Sequence, residues 1–590
     1  VSKLLDKMLA RTGKSRVDFR ANSKLGTMFR KDGVGDTPEL ARIVQLPRRT
    51  WDEDDVLFLQ EQLTDLLAVP GGEQVLRPIQ AMGLAEVHDA RGLLGIIGVG
   101  KGKTLLTRLI PLILEAERPL LLVPAKLVDK TEFEFEKLDA HWQRHPAMQI
   151  LSYQKLAHKK HREKLWELRP DVIICDEVQA LADRTATTTT RVEHYMESNP
   201  ETIFAGMSGT ITKRSLHNFH HLLRWTHGPE KMPLPFPHEE VKEWALAVDE
   251  KVDWHMRMMP GALRVFFGDG EREINVPEAR VGLNQRLVET PGVLATTQQE
   301  VDASITITYW CPELPDTITD AIRTMRETGD LPNGDVVERP VDVWRYGRQL
   351  CCGFFYKWDP PPPEEWLIAR RAWHRFVREQ LEMREPGLDA PSVVRDAVKC
   401  GALWDNGQLA RWEAVEHDYQ ISTVPEWIDD TPLHLVAERV EAIGRPTLVW
   451  VDSRAVGERL SEITGWRYFG QKGRDKTGLA IERAPVETCI LSIAANSEGR
   501  NLQAWDSNFI VEPQENGAIW QQKMGRTHRE GQESHAVDFE VFVGDDAVYA
   551  GLRQAFKDAE YIQSVTGEPQ KLLIADVIRN KPKKKDKEER

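Results

Sequence analysis

Short apolar runs, three to six residues long and closed by small or polar residues, punctuate two stretches of the chain. In the first stretch they are Leu93–Ile97, Leu120–Val123, Ile150–Tyr153, Val172–Cys175 and Ile203–Met207. In the second they are Pro446–Val451, Cys489–Ile493 and Phe509–Val511. Runs of this length without polar alternation predict strands buried on both faces. Helical periodicity separates them, as in the run from Pro78 to Ala90 and in Leu105–Ala116. Strand and helix in alternation predict parallel sheets. Between the two stretches, over residues 213–430, the rhythm weakens. A proline run, Pro360–Pro363, precedes a long helical segment, Glu364–Arg384, and eleven of the eighteen tryptophans fall here. The expected fold class is therefore α/β, with two parallel-sheet lobes, a mostly helical insertion or linker region, and an N-terminal accessory segment. The expected divisions are residues 1–70 (accessory), 71–226 (first lobe), 227–430 (insertion and linker), 431–560 (second lobe) and 561–590 (basic tail).

The chemistry concentrates where strands end. Ile97-Gly98-Val99-Gly100-Lys101-Gly102-Lys103-Thr104 reads as strand, glycine-rich turn and helix start. Gly100 and Gly102 let backbone N–H groups converge on phosphates, Lys103 brings a mobile positive charge to the β and γ oxygens, and the Thr104 hydroxyl suits Mg²⁺. Asp176 and Glu177 close the strand Val172–Cys175. Asp176 is placed to share the Mg²⁺ with Thr104, and Glu177 to orient and deprotonate an attacking water. Gln80, about twenty residues before the turn, has the donor and acceptor that an adenine edge requires. Ser208 and Thr210 follow a strand as a hinge that senses the γ-phosphate does, although an ordinary Ser/Thr turn fits the same residues. Arg526 and Arg529, three apart on one helical turn, point the same way and suit a γ-phosphate.

Composition narrows the class. The chain has 590 residues, 41% hydrophobic and 29% charged, as in soluble globular proteins. No apolar stretch is long enough to span a bilayer, so the expected location is intracellular, with no membrane partner. The six cysteines are scattered, without a zinc or disulfide spacing. A net charge of −14 excludes a uniformly basic coat but not a basic groove. Basic residues gather from Lys3 to Lys31, and again from Lys581 to Lys587. The insertion's tryptophans read as core packing before base stacking. His217, His220 and His221 read as helix-surface residues rather than metal ligands.

Taken together, Arg77–Gln80, Gly100–Thr104, Asp176–Gln179, Ser208–Thr210, Ser492–Leu502 and above all Gln522–Gln532 resemble the motif set of superfamily 2 helicase-like motors. Within these they resemble the Swi/Snf-like DNA translocases, with a likeness to members carried by bacteriophages. The last segment follows the family pattern Q-x-x-x-R-x-H-R-x-G-Q. Ile97 stands where the family usually has a small residue, and Asp-Glu-Val-Gln replaces Asp-Glu-Ala-His or Asp-Glu-Gly-His. The resemblance implies two RecA-like lobes with ATP and Mg²⁺ between them, and a bacterial host cytoplasm. It assigns Gln80, Gly100, Gly102, Lys103, Thr104, Gly499 and Gln522 to nucleotide binding, and Lys103, Asp176, Glu177, Arg526 and Arg529 to catalysis. Gln179, Ser208 and Thr210 would couple the two, while Lys126, Ser152, Tyr153, Ser453, Arg454, Ala495 and Asn496 would lie near a nucleic-acid strand. The implied partner is DNA, duplex or branched before single-stranded DNA or RNA, with a protein partner through residues 227–430. Strand separation on DNA or RNA, and an ATP-switched adaptor, remain the alternatives.

Overall fold

The computed structural model describes residues 33–98, 101–209, 215–249, 252, 256–267, 273–296, 301, 303–332, 340–383, 388–497 and 499–579. The chain divides into two compact units, one of Val1–Arg184, Arg191–Thr297 and Tyr561–Glu568, the other of Thr185–Thr190, Gln298–Glu560 and Pro569–Arg590.

The first unit is built on β1 (Leu93–Ile96), β2 (Pro119–Val123), β3 (Gln149–Ser152), β4 (Val172–Asp176), β5 (Ile203–Ser208) and β6 (Val293–Ala295). They form one parallel sheet in the order β3-β2-β4-β5-β1-β6. Successive side chains of a strand point to opposite faces, and here each face has its own core. Leu94, Leu120, Leu122, Ile173 and Cys175 enter one core; Leu93, Leu121, Val123, Val172 and Ile174 enter the other. Two-sided burial explains the unbroken apolar runs, each buried leucine or isoleucine contributing about 1.5–3 kcal/mol. From β1 the chain crosses to β2 on one side, and from β5 it crosses to β6 on the other. The carboxyl ends of β1 and β5 thus mark a topological switch point, where open α/β sheets bind ligands.

The second unit holds a seven-stranded sheet, also parallel: β7 (Ser304–Trp310), β10 (Thr447–Val451), β11 (Arg467–Phe469), β12 (Cys489–Ser492), β13 (Ser507–Ile510), β14 (Ala536–Phe542) and β15 (Asp576–Ile578), ordered β11-β12-β10-β13-β14-β7-β15. Trp450 lies wholly buried in the interior strand β10 and donates its indole N–H to Asn508 Oδ1 at 3.0 Å. A separate antiparallel hairpin, β8 (Phe354–Trp358) with β9 (Thr423–Trp427), carries a helical appendage between its strands. The appendage has its own aromatic core of Trp366, Trp373, Phe376, Trp412 and Tyr419.

The mixed α/β class with two parallel-sheet bodies is as expected. The divisions within it differ. Residues 227–430 are not all insertion, because β6 joins the first sheet and β7 the second. Residues 561–590 are not all tail, since Tyr561 and Val565 enter a core and β15 extends the second sheet. Residues 1–32 and 580–590, which hold most of the basic residues at the two ends, lie outside the described residues. Among the described residues no helix is long and apolar enough to cross a membrane. His220 and His221 are buried rather than on a helix surface. They bond the carbonyls of Pro235 and Leu181 at 2.9 and 2.7 Å, and burial lowers their pKa to about 4 and about 3.

Candidate functional site

Register makes the site of the first unit. Ile96 on β1 stands opposite Ser208 on β5, and Met207 stands opposite Asp176 on β4. The carboxyl ends of three adjacent strands are therefore level, and the glycine-rich turn, Ser208–Gly209 and Asp176–Glu177 become neighbours. Gly100 and Thr210 lie outside the described residues. Ile97 N–H donates to Ser208 O at 3.0 Å, and Gly98 N–H to the Thr296 hydroxyl at 3.1 Å. Thr296 follows the three-residue β6, 198 positions away, so no local pattern points to it.

The turn ends at Gly102, whose φ of +78° lies in the left-handed region that glycine enters without a steric penalty. A Cβ there would collide with Gln80 Nε2. Helix Lys103–Ile113 begins next, with Thr104 half-buried in its first turn. Gln80 is 4% exposed and engaged at both ends, accepting from Arg77 N–H at 2.8 Å and donating to Gly102 O at 3.2 Å. In this structure its amide braces the turn, where the sequence suggested an adenine edge. Lys103 Nζ donates to Ile97 O at 3.1 Å and lies 3.9 Å from Glu177 Oε1.

The acidic pair is held from three directions. Asp176 Oδ1 accepts Glu177 N–H at 3.0 Å, and the Tyr153 hydroxyl donates to the Asp176 carbonyl at 2.8 Å. Glu177 has φ +55° and ψ 52°, a left-handed conformation that costs a non-glycine residue on the order of 1 kcal/mol. Gln179 Nε2 donates to Glu177 Oε2 at 2.8 Å, so the carboxylate stands between an amide and the Lys103 ammonium. Burial and the neighbouring Glu177 charge push the Asp176 carboxyl above the usual range, with Lys103 offsetting part of the shift. The Asp176 carboxylate and Thr104 hydroxyl are the hard oxygen donors that Mg²⁺ takes. Among the described residues no group of three or more His, Cys, Asp or Glu is placed to hold a metal. Mg²⁺ bound mainly through phosphates and water needs no such group.

In the second unit, helix Gly517–Met524 ends before the arginine motif, with Gly525 at its C-cap. Arg526 and Arg529 therefore do not share a helical turn, contrary to the periodic reading. Both nonetheless converge on the carbonyl of Arg500, through Nη1 at 3.2 and 3.3 Å. Arg526 is 3% exposed and also bonds Gln522 O at 2.9 Å, whereas Arg529 is half-buried and bonds Asn501 Oδ1. Gly499, at φ +69°, turns the chain just before Arg500. Lys523, between these groups in sequence, is wholly buried beside the Trp520 ring at 3.8 Å, its Nζ without a hydrogen-bond partner among the described residues.

Burial lowers the Lys523 pKa to about 7, with Asp452 acting in the opposite direction. The unfolded chain then binds more protons between about pH 7 and the ordinary lysine value. The lysine's cost is full below pH 7 and fades as the pH rises through that window. Lys523→Met is expected to be more stable than the parent by roughly 1–3 kcal/mol at pH 7 in urea unfolding, with the gap closing toward pH 10. A gap that does not narrow with pH would refute the titration.

The residues expected near a nucleic-acid strand divide in two. Lys126 and Arg454 are exposed, Arg454 pairing with Glu458 at 2.7 Å. Ala495 is half-buried. The side chains of the other four are internal braces. Ser152 caps a helix by accepting Lys155 N–H at 3.0 Å, and Tyr153 is the buried strut under Asp176. Ser453 donates to the buried Glu512 at 2.6 Å. Asn496 has no exposed surface and donates to Phe469 O and Ser492 O at 2.9 and 3.0 Å. Short polar residues at strand ends serve caps as readily as ligands.

The chain matches no family model and no curated protein. The residues themselves therefore carry the functional reading.

Proposed function

We propose that the chain is a nucleic-acid-stimulated ATPase motor of the Swi/Snf-like superfamily 2 type. On this reading it translocates on duplex or branched DNA and remodels junctions or protein–DNA complexes. The observation that carries it is the meeting of Lys103, Asp176, Glu177 and Gln179 with the glycine turn, at the level carboxyl ends of β1, β5 and β4. Lys103 exchanges the Ile97 carbonyl for phosphate oxygens. Glu177, aligned by Gln179, accepts the proton of the attacking water. Thr104 and Asp176 would hold Mg²⁺, which neutralises phosphate charge when bound. Arg526 and Arg529 supply positive charge to the transferred phosphoryl group, as the likeness of Gln522–Gln532 to the family motif suggests. DNA as the partner, the RecA-like assignment and a bacterial host cytoplasm rest on that same likeness.

The test is steady-state ATP hydrolysis by the purified chain, alone and with single-stranded DNA, duplex DNA, a four-way junction or RNA at one salt concentration. Stimulation greatest with duplex or junction DNA is expected. Stimulation by RNA alone would transfer the motor to RNA, and hydrolysis unaffected by any of them would overturn the motor reading in favour of an ATP-switched adaptor.

A further inference from the structure

The first unit contains a short segment from far down the chain, Tyr561–Glu568, and it ends at the glycine turn. A Cβ built on Gly98 would lie 3.0 Å from Glu568 Oε1, and one on Gly209 3.6 Å from the same oxygen. The Glu568 carboxylate, 3% exposed, thus lies against the first glycine of the turn and against the residue that follows Ser208.

The segment is firmly seated. Tyr561 is wholly buried and donates its hydroxyl to Asp249 Oδ1 at 2.9 Å, with the Arg280 guanidinium 5.1 Å from its ring centre. Val565 enters the same core, and the Thr566 hydroxyl bonds Ile562 O at 2.7 Å. Gly567, at φ +72°, turns the chain, and Glu568 N–H donates back to the Thr566 hydroxyl at 3.3 Å. Helix end, glycine turn and cap together aim the carboxylate.

We propose that Glu568 is an acidic gate that weakens the hold of the glycine turn on nucleotide phosphates. The inference rests on the ATP-binding reading and adds a residue from outside the motif set. A carboxylate packed against Gly98 and Gly209, where the glycine turn begins, opposes in charge and in place the phosphate that the turn must receive. At low effective dielectric, like charges a few ångströms apart repel strongly. The residue acts on affinity and takes no part in the bond-breaking step.

The experiment measures dissociation constants of ATP and AMP by competition with a fluorescent nucleotide, on the full chain and on Glu568→Gln and Glu568→Ala, at fixed Mg²⁺ and salt. Glutamine keeps the size and removes the charge. Both variants are expected to bind ATP about tenfold more tightly and AMP less than about twofold more tightly, since AMP lacks the phosphates that meet the turn. Unchanged or weaker ATP binding in Glu568→Gln overturns the gate, as does equal tightening of ATP and AMP, which a general change in the fold would produce. A parent chain that binds neither nucleotide overturns the ATP-binding reading and the gate with it. A parent that binds without tightening in the variants overturns the gate alone.

Discussion

Glu177→Gln is expected to bind ATP as the parent does and to hydrolyse it about 10³-fold more slowly, the range over which a positioned general base acts. The substitution preserves size and leaves an oxygen for the Gln179 amide, which now donates to Glu177 Oε2 at 2.8 Å. It removes the group proposed to take the water's proton, together with the negative charge 3.9 Å from Lys103 Nζ. Relief of that pairing leaves Lys103 at least as available to phosphate, so the loss falls on turnover and not on binding. The measurements are ATP affinity by equilibrium binding and single-turnover hydrolysis with saturating duplex DNA. A variant that turns over at the parent rate would remove Glu177 from the base role, and one that fails to bind ATP would make it a structural member of the acidic pair.

Arg529→Ala is expected to lower the hydrolysis rate by about 10³-fold, toward the lower end of what an arginine acting on a transferred phosphoryl contributes, with ATP affinity changed less than about threefold. The two arginines differ in a way that selects this one. Arg526 is 3% exposed and spends Nε on Gln522 O and Nη1 on Arg500 O, so truncating it strips two backbone carbonyls of a donor inside a packed turn. Arg529 keeps more exposed surface and holds Arg500 O and Asn501. Its truncation removes charge while disturbing less structure. Kinetics of Arg529→Ala alongside its urea midpoint separate the two effects. A rate unchanged at unchanged stability would exclude Arg529 from the reaction, and a fall in rate that follows a fall in stability would assign it to packing.

The core strands of both sheets were legible because burial on two faces writes itself as uninterrupted apolar residues, as in Leu120–Val123 and Thr447–Val451. The edges were not. β6 and β15 have three residues each, too few to show a period, and both owe their place to distant partners, Leu94–Ile96 and Thr306–Thr308. The same divide runs through the site. Lys103, Asp176 and Glu177 were each singled out from local motif chemistry, and the level strand ends bring them together, Lys103 Nζ lying 3.9 Å from Glu177 Oε1. Whether a polar side chain at a strand end faces outward or inward is decided by tertiary packing. Tyr153 turned under Asp176, Asn496 turned onto Phe469 O, and Gln80 onto the glycine turn. Thr296 and Glu568 reach the turn from 198 and 470 positions away, and nothing in their own surroundings announces it.

The helical appendage of the second unit leaves and re-enters through one doorway. β8 and β9 pair antiparallel from Phe354↔Trp427 to Trp358↔Thr423, and Tyr419 ties back to Pro360 O at 2.8 Å just beyond them. Helices Glu364–Met383, Pro391–Lys399 and Gln408–Val415 between them contribute to a separate aromatic core, while Trp404 stands 83% exposed. A module mounted on a single hairpin behaves as an interchangeable tool head. It can be lengthened, exchanged or lost in descent with one turn to mend, and the seven-stranded sheet beneath it need not be rewritten. Selection can therefore revise this appendage at a different tempo from the glycine turn of the first unit.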